Sequence, residues 1–321
     1  MKYKYVIFQP PYDYYDITYH DIKNETNVQF INHYPAFGGV IAEKLCKLHR
    51  SAKSNSIVRL PFQSIWNPLF FRSKFSDNNH LCFLFSAGSA YLEKYGFVSY
   101  LKRRYPNAKF VCFYQDIVES VKTSRIEEIK SIFDLVLSYD IEDTRKYDLV
   151  FHNTVFSNYK VPEPNDYDFS DVYFVGAAKN RFQKILDIYK KLVDMSLKCD
   201  FYIIGLAKSE QIEGQGLHYV DGISYVENLK HVVRTKVVLE VMQKRATGAS
   251  LRMWECINYD KIFLTNNEYA PNLSCYDSSN MHHISEIENI KQWIDIPCCY
   301  SKEQKESIRP IKLLEFIDEK L

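Results

Sequence analysis

Short apolar runs alternate along the chain with amphipathic stretches, so the hydrophobic period switches repeatedly between that of a strand and that of a helix. This is the pattern of βα units, in which parallel strands are joined by crossover helices. In the first half it predicts strands at Tyr3–Phe8, Val28–Ile31, Ser56–Leu60, Leu81–Phe85, Lys109–Phe113, Leu135–Ser138 and Leu149–Phe151. Helices are predicted between them, most clearly at Gly39–His49, Tyr91–Arg104 and Ile126–Ile132. The stretch Val161-Pro162-Glu163-Pro164-Asn165 then breaks the pattern, because proline removes a backbone donor and disfavours helix before it.

The second half restarts with strands at Asp171–Val175, Asp200–Ile204, His218–Val220, Val237–Val241 and Ile262–Thr265. Helices are predicted at Asn180–Ser196, Val226–Val233, Ala249–Tyr259 and Ile284–Trp293, and a charged amphipathic helix at Gln304–Leu321, interrupted at Pro310. No internal repeat of fixed period stands out. The expected fold class is α/β: two tandem Rossmann-like domains, residues 1–165 and 166–303, with an interdomain cleft and a C-terminal helical tail, 304–321.

Composition narrows the function classes. Of 321 residues only 10 are Gly, while 25 Tyr, 21 Phe and 3 Trp bring the aromatics to 15%. Fibrous, low-complexity and disordered chains are excluded, and each Gly is expected where no side chain fits. The formal charge is +1, without the basic excess of a duplex nucleic-acid binder, so no nucleic-acid partner is expected. A small anionic ligand held by one or two cations remains compatible with that balance. The apolar run at the start is too short for a signal peptide, and no window approaches the ~20 apolar residues of a spanning helix. A cytoplasmic protein is therefore expected, in which the sequons at residues 24–26 and 272–274 carry little meaning. The eight cysteines form no C-x-x-C pair, which reads as buried reduced thiols rather than zinc or redox chemistry.

Candidate chemistry concentrates at two strand-to-helix junctions. At the first, Gly176 is followed by Lys179, Asn180 and Arg181. A strand ending in Gly lets the backbone turn tightly, and the free N–H groups of the next helix attract phosphate or carboxylate. A plain βα turn with solvated cations has the same appearance. At the second, Val238-Leu239-Glu240 ends a strand, Gln243 and Thr247 lie in a loop, and Gly248 opens a helix bearing Arg252 and Glu255. Their i, i+3 spacing puts both on one helix face. There an arginine can grip a diphosphate and a carboxylate can accept sugar hydroxyls. A surface ion pair is the equal alternative from spacing alone.

This second segment, with Lys261-Ile262-Phe263-Leu264-Thr265 and Asn266-Asn267, resembles the donor site of GT-B glycosyltransferases, in particular bacterial ones of capsule and lipopolysaccharide clusters. The likeness covers about residues 170–270 and extends faintly to Gln115-Asp116 and Ser138-Tyr139-Asp140. Thr247 departs from it, standing where many members carry a first acid that contacts the donor hexose in retaining families. Ala249 and Ser250 replace the usual aromatic-Gly pair.

The resemblance implies a GT-B fold and transfer of a sugar from a nucleotide-diphosphate donor to a surface-polysaccharide or lipid-linked glycan. It implies donor binding by Gly176, Lys179, Asn180, Arg181, Gln243, Thr247, Gly248, Arg252 and Glu255, with Glu255 on the ribose and the cations on the diphosphate. The first half should then supply the acceptor side of the cleft. Gly38 and Gly39, before a helix, either face the donor phosphates or form an ordinary turn. Asp116 and His33, each after a predicted strand, are the candidate bases, with a capping or solvated role as the alternative for each. No metal or other cofactor is expected, because Asp166-Tyr167-Asp168 lies in the linker and no His/Cys cluster occurs. A lipid-linked acceptor would bring the protein to the inner face of the membrane as a peripheral partner. The sequence leaves the oligomeric state open. Two other readings stay open: a non-catalytic sugar-nucleotide-binding scaffold, and a sugar-nucleotide epimerase on the same fold.

Overall fold

The structure, a computed structural model, describes residues 1–10, 12–32, 40–50, 61–71, 73, 75, 80–90, 96–121, 126–164, 166–242 and 247–321. The predicted strand at residues 56–60 and the candidates His33, Gly38, Gly39 and Gln243 lie outside the described residues.

Two six-stranded sheets form the frame. The first contains β1 (Lys4–Gln9), β2 (Val28–Asn32), β3 (Leu81–Ser86), β4 (Lys109–Tyr114), β5 (Leu135–Ser138) and β6 (Val150–Phe151), in the order β2-β1-β3-β4-β5-β6. The second contains β7 (Ser170–Ala177), β8 (Cys199–Ile204), β9 (Leu217–Val220), β10 (Thr235–Glu240), β11 (Ile262–Thr265) and β12 (Met281–His283), in the order β12-β11-β10-β7-β8-β9. Every strand pairing is parallel.

Parallel pairing requires crossovers, and helices supply most of them. In chain order they include α1 (Asp13–Thr18), α2 (Val40–Arg50), α3 (Phe97–Arg104), α4 (Ile126–Ile132) and α5 (Ile141–Tyr147) in the first half. There follow α6 (Phe182–Asp194), α7 (Tyr225–Val233), α8 (Leu251–Tyr259), α9 (Lys302–Ser307) and α10 (Pro310–Lys320). Both faces of each sheet are covered. In β1, Val6 and Phe8 enter one core while Tyr5 and Ile7 enter the other. In β10, Val237 and Leu239 face α6 and Val238 faces α7 and α8. The aromatic excess goes largely into these cores: Phe8, Phe71, Phe83, Phe85, Phe97 and Phe110 fill one of them, with Phe8 stacked on Phe85 at 4.5 Å.

Several boundaries differ from the sequence expectation. Strand β7 runs two residues past the predicted end, so Gly176 lies inside it. Helix α8 begins at Leu251, not at Gly248. The predicted helix Ile284–Trp293 is a 3-10 segment, Ile284–Asn289, continued by a short α-helix, Ile290–Ile294. Pro310 separates α9 from α10, where it takes an N-terminal position at which its missing N–H costs nothing. Helix α10 returns to the first sheet: Leu313, Leu314 and Ile317 pack with Tyr3, Tyr5 and Ile7, and the Tyr5 hydroxyl lies 2.6 Å from the Asp318 carboxylate. All eight cysteines are free thiols; six are buried, Cys298 is half-buried and Cys299 is exposed.

Candidate active site

In open parallel sheets ligands gather at the carboxyl ends of the strands. In the second sheet those ends bring Gly176, Arg181, Glu240, Arg252 and Glu255 together. A side chain on Gly176 would meet the Arg181 guanidinium at 2.9 Å, so the absence of one lets that guanidinium lie across the strand end. Arg181 donates to the carbonyls of Ala177 (3.0 Å) and Val241. Arg252, in the first turn of α8, donates to the carbonyl of Val175. Burial, the neighbouring charge of Arg252 and, in opposition, the charge of Glu240 set the Arg181 guanidinium below its ordinary value. Lys179 and Asn180 are exposed beside them in a 3-10 turn, Lys179 with a left-handed φ of 41°.

Glu255 is buried one turn further along α8. Its Oε1 accepts hydrogen bonds from the Tyr225 hydroxyl (2.7 Å) and Asn228 Nδ2 (3.0 Å). Burial raises its carboxyl above the usual range, against the lowering effects of Arg252 and these two bonds. Among the described residues, Glu240 Oε1, Ser250 Oγ, Arg252 Nε and Glu255 Oε2 are buried polar atoms without a partner. Four such atoms near one sheet edge are unusual, since buried polar groups are normally satisfied. A hollow of about 290 Å3 runs alongside Arg252 and Glu255 and is closed from the first domain by Asp13 and Tyr14. Larger hollows, about 540 and 770 Å3, open at the opposite, amino edge of the sheet around Ser170 and Lys198, away from these groups.

Thr247 and Gly248 are placed differently from the other candidates, against the first domain. Asp140 Oδ2 accepts the N–H groups of Thr247 (2.6 Å) and Gly248 (3.3 Å), and its Oδ1 caps α5 through Asp143 N–H. The Thr247 hydroxyl accepts from Glu142 N–H. A Cβ on Gly248 would fall 2.3 Å from the Tyr139 carbonyl oxygen, so only glycine permits this approach. A second bridge joins Asp13 to the N–H of Tyr225 at the start of α7 (2.6 Å). Asp116 is exposed two residues beyond the end of β4, within reach of the charge of Lys179 in the second domain. The surrounding protein raises its carboxyl, against the Ile117 N–H bond and the charge of Lys179 across the cleft.

Sequence reasoning missed Asp13, Tyr14, Tyr225 and Asn228, and gave Asp140 and Glu240 no role. The signal for Asp140 was local: an Asp followed three residues later by an acid, before a helix, is a cap signature. Nothing local marks the others, whose partners come from distant segments.

The sequence matches no protein-family model and no curated protein at significance. Solved structures do match over nearly the whole chain. An α-glucosyltransferase in complex with UDP and a 13-mer DNA containing a HMU base superposes with a TM-score of 0.58 and 12% identity, over 98% of each chain. A glycosyltransferase from Rickettsia africae ESF-5 gives 0.53 and 10% identity, over 99% of this chain and 98% of that one. A UDP-GlcNAc 2-epimerase from Methanocaldococcus jannaschii, in complex with UDP-GlcNAc and UDP, gives 0.50 and 9%, over 98% and 100%. The DNA complex corrects one expectation. Balanced net charge argues against a nucleic-acid partner, yet a protein of this same architecture is seen bound to DNA. Net charge sums over the whole surface, whereas a nucleic acid meets one face of it. By its two parallel six-stranded sheets and these likenesses, the chain has the two-domain GT-B fold.

Proposed function

We propose that the protein transfers a sugar from a nucleotide-diphosphate sugar, of which UDP-sugars are the first candidates, to a hydroxyl of a surface polysaccharide or lipid-linked glycan. The observation that carries the reading is the pair of half-buried Arg252 and buried Glu255, whose Nε and Oε2 are covered and unpartnered beside a hollow walled by both domains. A diphosphate and a ribose supply the acceptor and donor groups these two atoms lack. Arg252 and Arg181 exchange their carbonyl partners for phosphate oxygens, and Lys179 adds exposed charge. Together they stabilise the negative charge that grows on the leaving diphosphate, which makes a metal ion unnecessary. Asp116 takes the acceptor hydroxyl proton as the acceptor oxygen bonds to the anomeric carbon and the bond from that carbon to the phosphate oxygen breaks. Its raised carboxyl favours this role, because a base works best when its pKa approaches the working pH. The glycan acceptor rests on the sequence resemblance.

The test is release of nucleotide from a panel of UDP-sugars with glycan acceptors and with HMU-containing DNA, in the presence of EDTA. Arg252→Ala should lower turnover by about a hundredfold or more. Parent-like turnover by this variant sinks the site assignment, and transfer to DNA alone sinks the glycan acceptor. A free 2-epimer points to the epimerase, and binding without turnover to a scaffold.

A further inference from the structure

One buried carboxylate is unused by the reading above. Glu240 is the last residue of β10 and 3% exposed. Its Oε2 accepts a 2.6 Å hydrogen bond from the Thr265 hydroxyl at the end of β11, while Oε1 is buried with no partner. Arg181 feels the charges of both Glu240 and Arg252, so this carboxylate lies with the guanidiniums proposed to hold the diphosphate. Yet neither guanidinium bonds to it: Arg181 donates to Ala177 and Val241, and Arg252 to Val175. A carboxylate is an acceptor at both oxygens, and one left bare in the interior is costly. It therefore calls for a donor, and a neutral hydroxyl is the donor that adds no charge beside phosphates already matched by cations. Among the described residues of the loop after β10, the candidate Thr247 has its N–H and hydroxyl engaged by Asp140 and Glu142.

We propose that Glu240 is a specificity-determining residue whose Oε1 accepts a hydrogen bond from a hydroxyl on the sugar moiety of the donor. The inference rests on the nucleotide-sugar reading. Oε1 is covered by protein, so the proposal requires a movement that uncovers it; Arg181, bonded to the carbonyl of the adjoining Val241, is the group assigned that movement as it turns to a phosphate.

Calorimetry with UDP and with UDP-hexoses separates the two ligand halves. In Glu240→Gln, which retains size and an acceptor for Thr265, UDP should bind within about twofold of the parent. The preferred UDP-hexose should bind about tenfold or more weaker, the scale of one charge-assisted hydrogen bond. Glu240→Asp, which keeps the charge but shortens its reach, should show the same split. A UDP-deoxyhexose lacking the contacted hydroxyl should bind parent and variant alike. Equal weakening of UDP and UDP-hexose, or no change in either, overturns the proposal. A parent that binds neither these nor the other nucleoside diphosphates and their hexoses overturns the nucleotide-sugar reading beneath it, a distinguishable result.

Discussion

At the residue scale, what spacing marked and what it could not differ in a physical way. Gly176 with Arg181, and Arg252 with Glu255, were legible because each pair lies within a single βα unit, where strand, turn and helix follow one another. Glu240 was not, because its burial and its bond to Thr265 come from another strand. His282 is a second residue of that kind. It is 8% exposed, its ring stacks on Trp293 at 3.8 Å, and its Nε2 has no partner. Burial lowers its pKa from the ordinary 6.5. The folded chain therefore keeps His282 neutral where the unfolded chain takes up a proton. The contribution to stability is present above about pH 6.5 and is lost as pH falls toward the lowered folded value. Half-buried His152 shifts in the same direction. Denaturant midpoints should thus drop between about pH 7.5 and about pH 5.5, and drop less in His282→Gln. Equal drops in the two proteins would remove His282 from the account.

At the element scale, periodicity located most strands within a residue or two, since apolar runs buried on both faces are strong signals. It missed β12, three residues containing two histidines, and set no bounds for α5, a polar helix whose start is marked chiefly by its Asp140 cap. It also read α10 as a tail, because amphipathicity shows that a helix has a partner face without showing whose. The partner is the first sheet, more than 300 residues back along the chain: the Tyr5 hydroxyl sits 2.9 Å from the Leu314 carbonyl, at a separation of 309 residues. Leu314 is fully buried there. Leu314→Ala should cost about 2–5 kcal/mol by equilibrium denaturation. A cost typical of a surface site, under about 0.5 kcal/mol, would mean that α10 is not part of the first domain's core.

At the scale of the whole molecule, the two domains meet through Asp140 and Asp13, each accepting backbone N–H groups of the other domain. Asp140→Asn tests the clasp cleanly, since asparagine still caps α5 but loses the charge that holds two amides. The expected cost is about 1–3 kcal/mol of interdomain contact, with a larger radius of gyration in small-angle scattering and weaker UDP-sugar binding. An unchanged scattering curve would show that other contacts set the closure. The nucleic-acid correction belongs to this scale too, because a net charge of +1 states a sum and leaves its distribution open. The sequence by itself determined the α/β class, the two runs of strands and the Gly-marked junctions, for these depend on residues a few positions apart. Tertiary structure alone decided that Gly248 faces Tyr139, that Asp140 reaches across 107 residues to Thr247, and which carboxylates are left buried and unpaired. Burial and hydrogen-bond satisfaction are set by neighbours in space, and those neighbours come from segments that local periodicity cannot relate.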